Sequence, residues 1–177
     1  MTDISEYGKA LFLLTEECGA TEAVYSEVNT VYSLLEKTGE YAKLLDTPAV
    51  SAEEKCALIE EAFGSFNENL VNLIKLLSDK HLIFRFADVY TEFTRLYDES
   101  RGIERVVAIS AVALTNQQLG TLSEKLARQT GKRIVIKNEI DPSLLGGVKL
   151  RYLGMQLDGS VKARLDSFEA GLKNLTI

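Results

Sequence analysis

The single histidine and the two cysteines are the residues whose side chains could attack a substrate or hold a metal ion. His81 stands beside Asp79 and Lys80 at the polar end of a helical stripe, where we expect it to act as a cation at a helix C-terminus. Cys18 and Cys56 form no CxxC pair and have no neighbouring histidine, so we expect both to be small buried residues in a reducing compartment. The pattern therefore predicts neither a catalytic nucleophile nor a metal site.

The glycines and lysines that could cradle a phosphate do not complete a phosphate-binding loop. Gly131 and Lys132 resemble the end of such a loop, but Leu126 occupies the place of its first glycine, and Arg133 follows where serine or threonine is needed. The glycine pair at 146–147 is more typical of a bulge or a tight entry into a strand than of a phosphate cradle. We therefore expect no nucleotide site.

Paired carboxylates are the remaining candidates for acid–base chemistry. They occupy adjacent positions at 16–17, 53–54 and 60–61. Neighbouring side chains on a helix diverge by about 100°, so two such carboxylates cannot share one site. A solvated helix face explains them, and the sequence predicts a protein that is not an enzyme and needs no cofactor.

The charge of the chain is divided unevenly along its length. Residues 1–105 hold ten Lys and Arg against twenty Asp and Glu, whereas residues 106–177 hold ten against six. An acidic first part disfavours nucleic acid as its partner, because phosphates would be repelled. The division suggests two modules that face different partners, although an ordinary solvated surface would also account for it.

Periodic apolar patterns predict six helices within the first 101 residues, and the short turns between them predict a bundle. Ser51 and Glu54 have the spacing of a capping box, Thr21 could cap the second helix, and Asn67 starts the fifth. The predicted core positions, helix by helix, are Ile4, Tyr7, Leu11, Leu14 and Cys18; Val24, Val28, Val31 and Leu35; Tyr41, Leu44 and Leu45; Ala57, Leu58, Ala62 and Phe63; Leu70, Leu73, Ile74 and Leu77; and Phe86, Val89, Tyr90, Phe93, Leu96 and Tyr97.

The pattern changes after this region to that of a small α/β module. A partly β-branched apolar run at 105–113 predicts a strand, and a second capping box, Thr115 with Gln118, starts a helix that ends at Gly131. A second strand at 132–140 should run parallel to the first, because a crossover helix joins them. A hairpin around Gly154 and a last helix from Ser160 follow. The predicted class is α+β: a six-helix bundle over 1–104, then an α/β domain with a mixed sheet over 105–177.

Two helices of the predicted bundle are apolar over a wider arc than a bundle edge needs. Ala10 and Leu13 lie about 80° and about 140° from the centre of the first helix's stripe, and Leu76 lies about 110° from that of the fifth. If these helices are neighbours, the additional residues would line a groove suited to an amphipathic partner helix. Deep burial of both helices would explain the same pattern.

Motifs along nearly the whole chain are similar to those of a known family, the ATP synthase delta subunit, which is the oligomycin-sensitivity-conferring protein in mitochondria. Residues 7–12 read Tyr-Gly-Lys-Ala-Leu-Phe and resemble the family's Tyr-Ala-x-Ala-Leu-Phe opening, with Gly8 as a departure. Residues 69–77 resemble its fifth helix. The C-terminal match is the most specific, and its signature residues are Ile134, Ile136, Ile140, Asp141, Leu144, Gly146, Gly147, Gly154, Asp158, Gly159, Ser160, Arg164 and Leu165.

The resemblance implies that the helical part sits on the catalytic head of an ATP synthase and holds the N-terminal helix of an alpha subunit between helices one and five. It implies that the C-terminal part holds the peripheral-stalk b subunits, with the signature glycines and Asp158 making turns. It implies no nucleic-acid partner, no small-molecule ligand and no insertion into the membrane. The groove positions that follow are Tyr7, Ala10, Leu13, Leu14, Leu73, Leu76 and Leu77.

The function expected from these observations is that of a connector which links the head to the peripheral stalk, so that rotation drives ATP synthesis. The alternatives are a helical adaptor of another pathway and, less favoured, an uncharacterised enzyme. No apolar run approaches the roughly 20 residues of a membrane span, and the first residues lack the pattern of a signal peptide. We therefore expect a peripheral protein on the cytoplasmic face of a bacterial plasma membrane, or on the matrix or stromal side in an organelle.

We predict that the isolated protein neither hydrolyses ATP nor binds it, because the sequence has no complete phosphate loop and no base–nucleophile pair. Isothermal titration calorimetry with ATP and magnesium should give no saturable heat. Saturable binding at micromolar ATP would contradict this prediction.

Overall fold

A computed structural model of the chain describes residues 3–144, 146–152 and 155–158. The chain divides into two compact units, residues 1–100 and residues 101–177. The first unit is helical and the second combines strands with a helix, which confirms the predicted α+β class. The predicted last helix, with Gly159, Ser160, Arg164 and Leu165, and the predicted turn residue Gly154 lie outside the described residues.

The helices of the first unit follow one another with short connections. A single 3₁₀ turn, Ile83–Arg85, precedes the last of them. The α-helices are α1 Ser5–Glu17, α2 Thr21–Lys37, α3 Gly39–Asp46, α4 Ala52–Phe63, α5 Glu68–Asp79 and α6 Phe86–Ser100.

Two of the three helix starts predicted for this unit follow the capping chemistry of the sequence. Ser51 and Glu54 form the predicted capping box, and the Asn67 side chain accepts a hydrogen bond from the amide of Asn69 at 3.0 Å. The prediction that Thr21 caps α2 is wrong. Ala20 is the N-cap, because the chain turns directly out of α1 through the left-handed Gly19, and Thr21 falls inside the helix, where it is buried.

The predicted core faces of α2 and α5 are confirmed, since every residue of their two stripes is buried. On α6 the expected inward residues are buried except Tyr90 and Leu96, which are half-buried. The helices α2 and α5 each present one continuous apolar ridge to the interior, so the periodicity of apolar residues is enough to identify their buried faces. The largest fully buried side chains of the unit are Phe63, Phe86, Phe93, Ile4, Leu45, Ile59, Leu70, Ile74, Leu77, Ile83, Val24 and Val28.

The predicted faces of α1 and α4 need correction. On α4 the buried ridge is Lys55, Ile59 and Phe63, whereas Ala57 and Ala62 are exposed and Leu58 is half-buried. The three residues of the buried ridge follow one another at intervals of four positions, and the aliphatic stem of Lys55 takes the place of an apolar side chain. On α1 the buried residues are Ile4 and, within the helix, Gly8, Leu11, Phe12 and Thr15, and the expected core residue Leu14 is 47% exposed. The two cysteines, expected to be buried, are both exposed.

Gly8 explains why the face of α1 differs from the one the apolar residues predict. A Cβ atom at this position would lie 2.6 Å from the carbonyl oxygen of Val89 and 3.1 Å from the Cβ of Glu92 on α6. The missing side chain therefore lets the backbones of α1 and α6 approach closely. Phe12 packs edge-on against Phe93 beside this contact, with ring centroids 5.9 Å apart.

The second unit contains a four-stranded mixed sheet and one helix among the described residues. The sheet order is β2-β1-β3-β4, with β1 and β2 parallel and the β1–β3 and β3–β4 pairs antiparallel. The elements are β1 Ile103–Ser110, α7 Asn116–Thr130, β2 Arg133–Ile140, β3 Val148–Tyr152 and β4 Met155–Asp158. The parallel pair, the hairpin and the capping box of Thr115 with Gln118 confirm the predictions.

The first strand begins and ends earlier than its predicted range of 105–113. Ile103 pairs with Arg133 and Ser110 pairs with Ile140, so both parallel strands start and stop together. Beyond the pairing, the Ser110 hydroxyl donates to the carbonyl oxygen of Val112 at 2.7 Å, which turns the chain out of the sheet. Glycine in the left-handed region ends α7 at Gly131, as predicted.

We predict that Gly8→Ala destabilises the protein although it replaces glycine with the best helix former. The gain in helix propensity is about 1 kcal/mol, and forcing a methyl group into a packed contact costs about 1–3 kcal/mol. We therefore expect a net loss of up to about 2 kcal/mol in the free energy of unfolding. Urea denaturation followed by circular dichroism measures it.

The matched control for this prediction is Gly39→Ala, because a Cβ atom at Gly39 would meet nothing within 4 Å at the start of α3. This variant should be at least as stable as the unmodified chain. A Gly8→Ala variant as stable as its control would show that α1 and α6 can separate without loss.

Candidate partner-binding surface

An exposed apolar strip runs along the outer face of α1. Leu13 is 52% exposed and Leu14 is 47% exposed, while Ala10 is exposed and Tyr7 is half-buried. The contact with α6 turns Gly8, Leu11 and Thr15 inward, and these other positions consequently point away from the core. The helix thus offers solvent two large apolar side chains that its own unit does not cover.

The neighbouring helix α5 supplies fewer surface residues than the sequence predicts. α1 and α5 pack against each other, and Leu76 is 39% exposed. Leu73 and Leu77, in contrast, are buried, with 8% and 0% exposure. Of the seven predicted groove residues, Ala10, Leu13, Leu14 and Leu76 therefore lie at the surface, Tyr7 lies at its margin, and Leu73 and Leu77 lie beneath it.

Polar contacts hold α5 at three points along its length. At its start, the Glu27 carboxylate of α2 accepts a hydrogen bond from the Asn67 amide at 2.8 Å. On its flank, Lys75 forms an ion pair with Glu60 of α4, and the Glu60 partner raises the pKa of this lysine. Near its end, the Ser78 hydroxyl donates to the carbonyl oxygen of Leu45 at 2.8 Å. The surface containing Leu76 is thus carried by a helix that is fixed at both ends.

The histidine and the lysine that could have carried chemistry have structural partners. The Nδ1 atom of His81 lies 2.9 Å from the carbonyl oxygen of Asp46, so the imidazole sits at the C-terminus of α3 rather than of its own helix. Lys132, in the incomplete phosphate loop, pairs at 3.6 Å with the buried carboxylate of Glu104. Among the described residues, no group of three or more His, Cys, Asp or Glu could hold a metal ion. The carboxylate pairs at 16–17, 53–54 and 60–61 are exposed, as predicted.

Comparison with known proteins shows which family the chain belongs to. The pattern of the family described as the ATP synthase delta (OSCP) subunit matches residues 4–172. The chain belongs to this family. It is therefore a non-catalytic component of the stator of the ATP synthase complex, where the delta subunit sits with the alpha subunits and the peripheral stalk. This membership decides against an adaptor of another pathway.

Individual members of the delta subunit family match over almost the whole length. The chain is 32% identical over 173 residues to ATP synthase subunit delta of Clostridioides difficile, covering 97% of this chain and 96% of that protein. It is 34% identical over 167 residues to ATP synthase subunit delta of a Geobacillus species, covering 94% of both. A chain in the structure of the Toxoplasma gondii mitochondrial ATP synthase hexamer is 25% identical, with a TM-score of 0.74 and coverage of 97% and 98%.

The signature residues of the delta subunit family that are described here shape turns and strands. Asp141 accepts hydrogen bonds from the amide and the hydroxyl of Ser143, at 3.0 and 2.6 Å, and these bonds hold the pKa of its carboxyl below the usual range. Gly146 and Gly147 have φ angles of 147° and 84°, in a region that disfavours side chains. The positive φ angles of the two glycines are those of a turn, whereas Asp158, which we expected in a turn, is the last residue of β4.

The strand residues of the signature lie on β2, next to a polar contact that the sequence analysis missed. Ile134 and Ile136 are half-buried, and Ile140 is 57% exposed. Between them, Asn138 donates to the carbonyl oxygen of Ala108 at 2.8 Å and to the Ser110 hydroxyl at 2.9 Å. The side-chain carbonyl oxygen of Asn138 accepts a hydrogen bond from the backbone amide of Leu114 at 2.9 Å. The Asn138 side chain thus connects β2 to β1 and to the loop that follows β1. In the sequence, the only sign of this contact is an asparagine within a strand that is otherwise partly apolar.

As a delta subunit, the protein is a peripheral component of a membrane-bound complex. None of the helices among the described residues has the length and apolar character that crossing a bilayer requires.

Proposed function

We propose that the surface formed by α1 and α5 receives the N-terminal helix of an alpha subunit of the catalytic head. The observation that carries this proposal is the exposure of Leu13 and Leu14 on α1 together with that of Leu76 on α5, a helix that packs against α1. An amphipathic helix binds by laying its apolar face on such side chains. The buried residues Leu73 and Leu77 would support the surface from below without touching the partner.

The charge of α1 supports a preference among partner helices. The exposed residues Glu6 and Glu17 lie near the two ends of the strip, in a unit where acidic residues outnumber basic ones. Complementary charge at the rim of an interface accelerates association and fixes its register. A partner helix with basic residues flanking its apolar face would therefore be favoured over an acidic one.

The helices α1–α6 act, in this proposal, as one six-helix bundle within residues 1–104, and residues 105–177 hold the ends of the b subunits. The charge division supports separate partners, because the first part is acidic and the second is basic. A delta subunit of this kind would work on the cytoplasmic face of a bacterial plasma membrane, or on the matrix or stromal side in an organelle.

The mechanism is mechanical. Rotation of the central shaft exerts torque on the catalytic head, and a connector prevents the head from turning if it dissociates slowly compared with turnover. Such a connector needs interface area with its partners. It also needs internal stiffness, to which the close contact at Gly8 and the polar contacts of α5 contribute.

We predict that a fragment of residues 1–101 folds without the rest of the chain. Its helices bury a core of their own, and the chain's compact units separate after residue 100. The fragment should show helical circular dichroism and a cooperative thermal transition. A disordered fragment would contradict the proposed division into two domains.

The surface itself is tested by Ala10→Asp and Leu76→Asp. Each places a charge where the partner helix would bury apolar surface, and an unpaired buried charge costs several kcal/mol. A loss of about 3 kcal/mol weakens binding roughly 150-fold. The affinity for a peptide of the alpha subunit's N-terminal helix should fall by this order, while the melting temperature stays unchanged, because both positions are exposed.

Ala23→Asp is the matched control, since Ala23 is exposed on α2 and lies outside the proposed surface. This variant should bind the peptide as tightly as the unmodified protein. Normal affinity in Ala10→Asp and Leu76→Asp would show that the partner binds elsewhere. A lowered melting temperature in either would show that the residue belongs to the core.

A further inference from the structure

A cavity opens between α4, the C-terminal half of α5 and the segment that joins α3 to α4. Its volume is ≈ 560 Å³, within the range of roughly 300–1,000 Å³ that small-molecule sites occupy. Apolar side chains form much of the wall, among them Pro48, Val50, Ile59 and Leu76. A mostly apolar wall with a few polar groups is the usual composition of such sites.

The polar group that distinguishes this cavity is Lys55. This residue lines the wall and is only 6% exposed, because the buried ridge of α4 carries its aliphatic stem into the unit. Among the described residues, no acidic side chain forms an ion pair with its ammonium group. A lysine of this kind buries its aliphatic stem and keeps its ammonium group in contact with water, so the charge remains accessible from the cavity.

The other charged groups around the cavity differ from Lys55. Lys75 is paired with Glu60, and the ring of His81 faces Asp46 at 3.4 Å. Asp79 is exposed, where solvent weakens its interaction with anything inside the cavity. The cationic site available to a ligand within the described wall is therefore that of Lys55.

We propose that this cavity binds a small organic carboxylate, whose apolar body lies on the wall and whose carboxylate pairs with the Lys55 ammonium group. An ammonium group recognises a carboxylate as a compact point charge, and a charge-assisted hydrogen bond away from water is stronger than one between neutral groups. The proposal does not require the partner helix, because it concerns the full chain in solution, although Leu76 belongs both to the cavity wall and to the proposed partner surface.

The two cysteines give the experiment a reporter and an internal control. Cys56 lines the cavity, whereas Cys18 lies at the end of α1, and both are exposed free thiols. The full-length protein is alkylated with N-ethylmaleimide in increasing concentrations of decanoate or of decanol, below the concentrations at which either forms aggregates. Mass spectrometry of the peptides then gives the alkylation rate at each cysteine.

We expect decanoate to slow alkylation of Cys56 saturably while Cys18 reacts at an unchanged rate. The apparent dissociation constant for decanoate should be at least tenfold lower than that for decanol, which has the same chain but no charge. Lys55→Met should remove this difference, whereas the matched control Lys80→Met, at an exposed position at the end of α5, should retain it. The melting temperature of each variant shows whether it is folded, and the comparison of decanoate with decanol needs no variant.

Equal protection by decanoate and decanol, or no saturable protection of Cys56, would overturn the proposal. A preference for decanoate over decanol that persists in folded Lys55→Met would overturn it too. A short peptide with one glutamate between leucines provides a further arm. If that peptide protects Cys56 and decanoate does not, the cavity receives an acidic segment of a protein and the small-molecule assignment is wrong.

Discussion

The close contact between α1 and α6 at Gly8 decides which residues of α1 face solvent. Because a Cβ atom there would lie 2.6 Å from the Val89 carbonyl oxygen, the two backbones are nearer than ordinary side chains permit. This proximity turns Gly8, Leu11 and Thr15 inward and leaves Leu13 and Leu14 outside. A protein that buried its most apolar face against α6 would have nothing comparable to offer a partner helix.

The polar side chains of this delta subunit serve the connections between elements. Glu27 satisfies the start of α5, His81 meets the end of α3, and Asn138 ties two strands to the loop after the first. Each of these groups would have been a candidate for chemistry in an enzyme. Here they restrict the movement of helices and strands, which is the requirement for a subunit that transmits force between other subunits.

Much of the fold was predictable from local chemistry. The capping boxes of Ser51 and Thr115 have short-range signatures that leave little choice of structure, and the parallel pairing of β1 and β2 follows from the crossover helix between them. The faces of α1 and α4 could not be predicted in this way. Gly8, Thr15 and Lys55 are buried, whereas the apolar pattern predicts other residues of the same helices as core. Tertiary contacts favour the close approach that a glycine permits and the packing of a long aliphatic stem. The surface position of Leu14 and the cavity at Lys55 both follow from these exceptions, and apolar periodicity does not detect them.

The placement of the partner helix is tested most directly by crosslinking within the assembled ATP synthase. A photoreactive amino acid would replace Leu13 on α1, and another would replace Ala23 on α2 as the control. We expect the probe at position 13 to capture the N-terminal segment of an alpha subunit, and the probe at position 23 to capture none. Capture of that segment from position 23 but not from position 13 would contradict the assignment of the exposed face of α1.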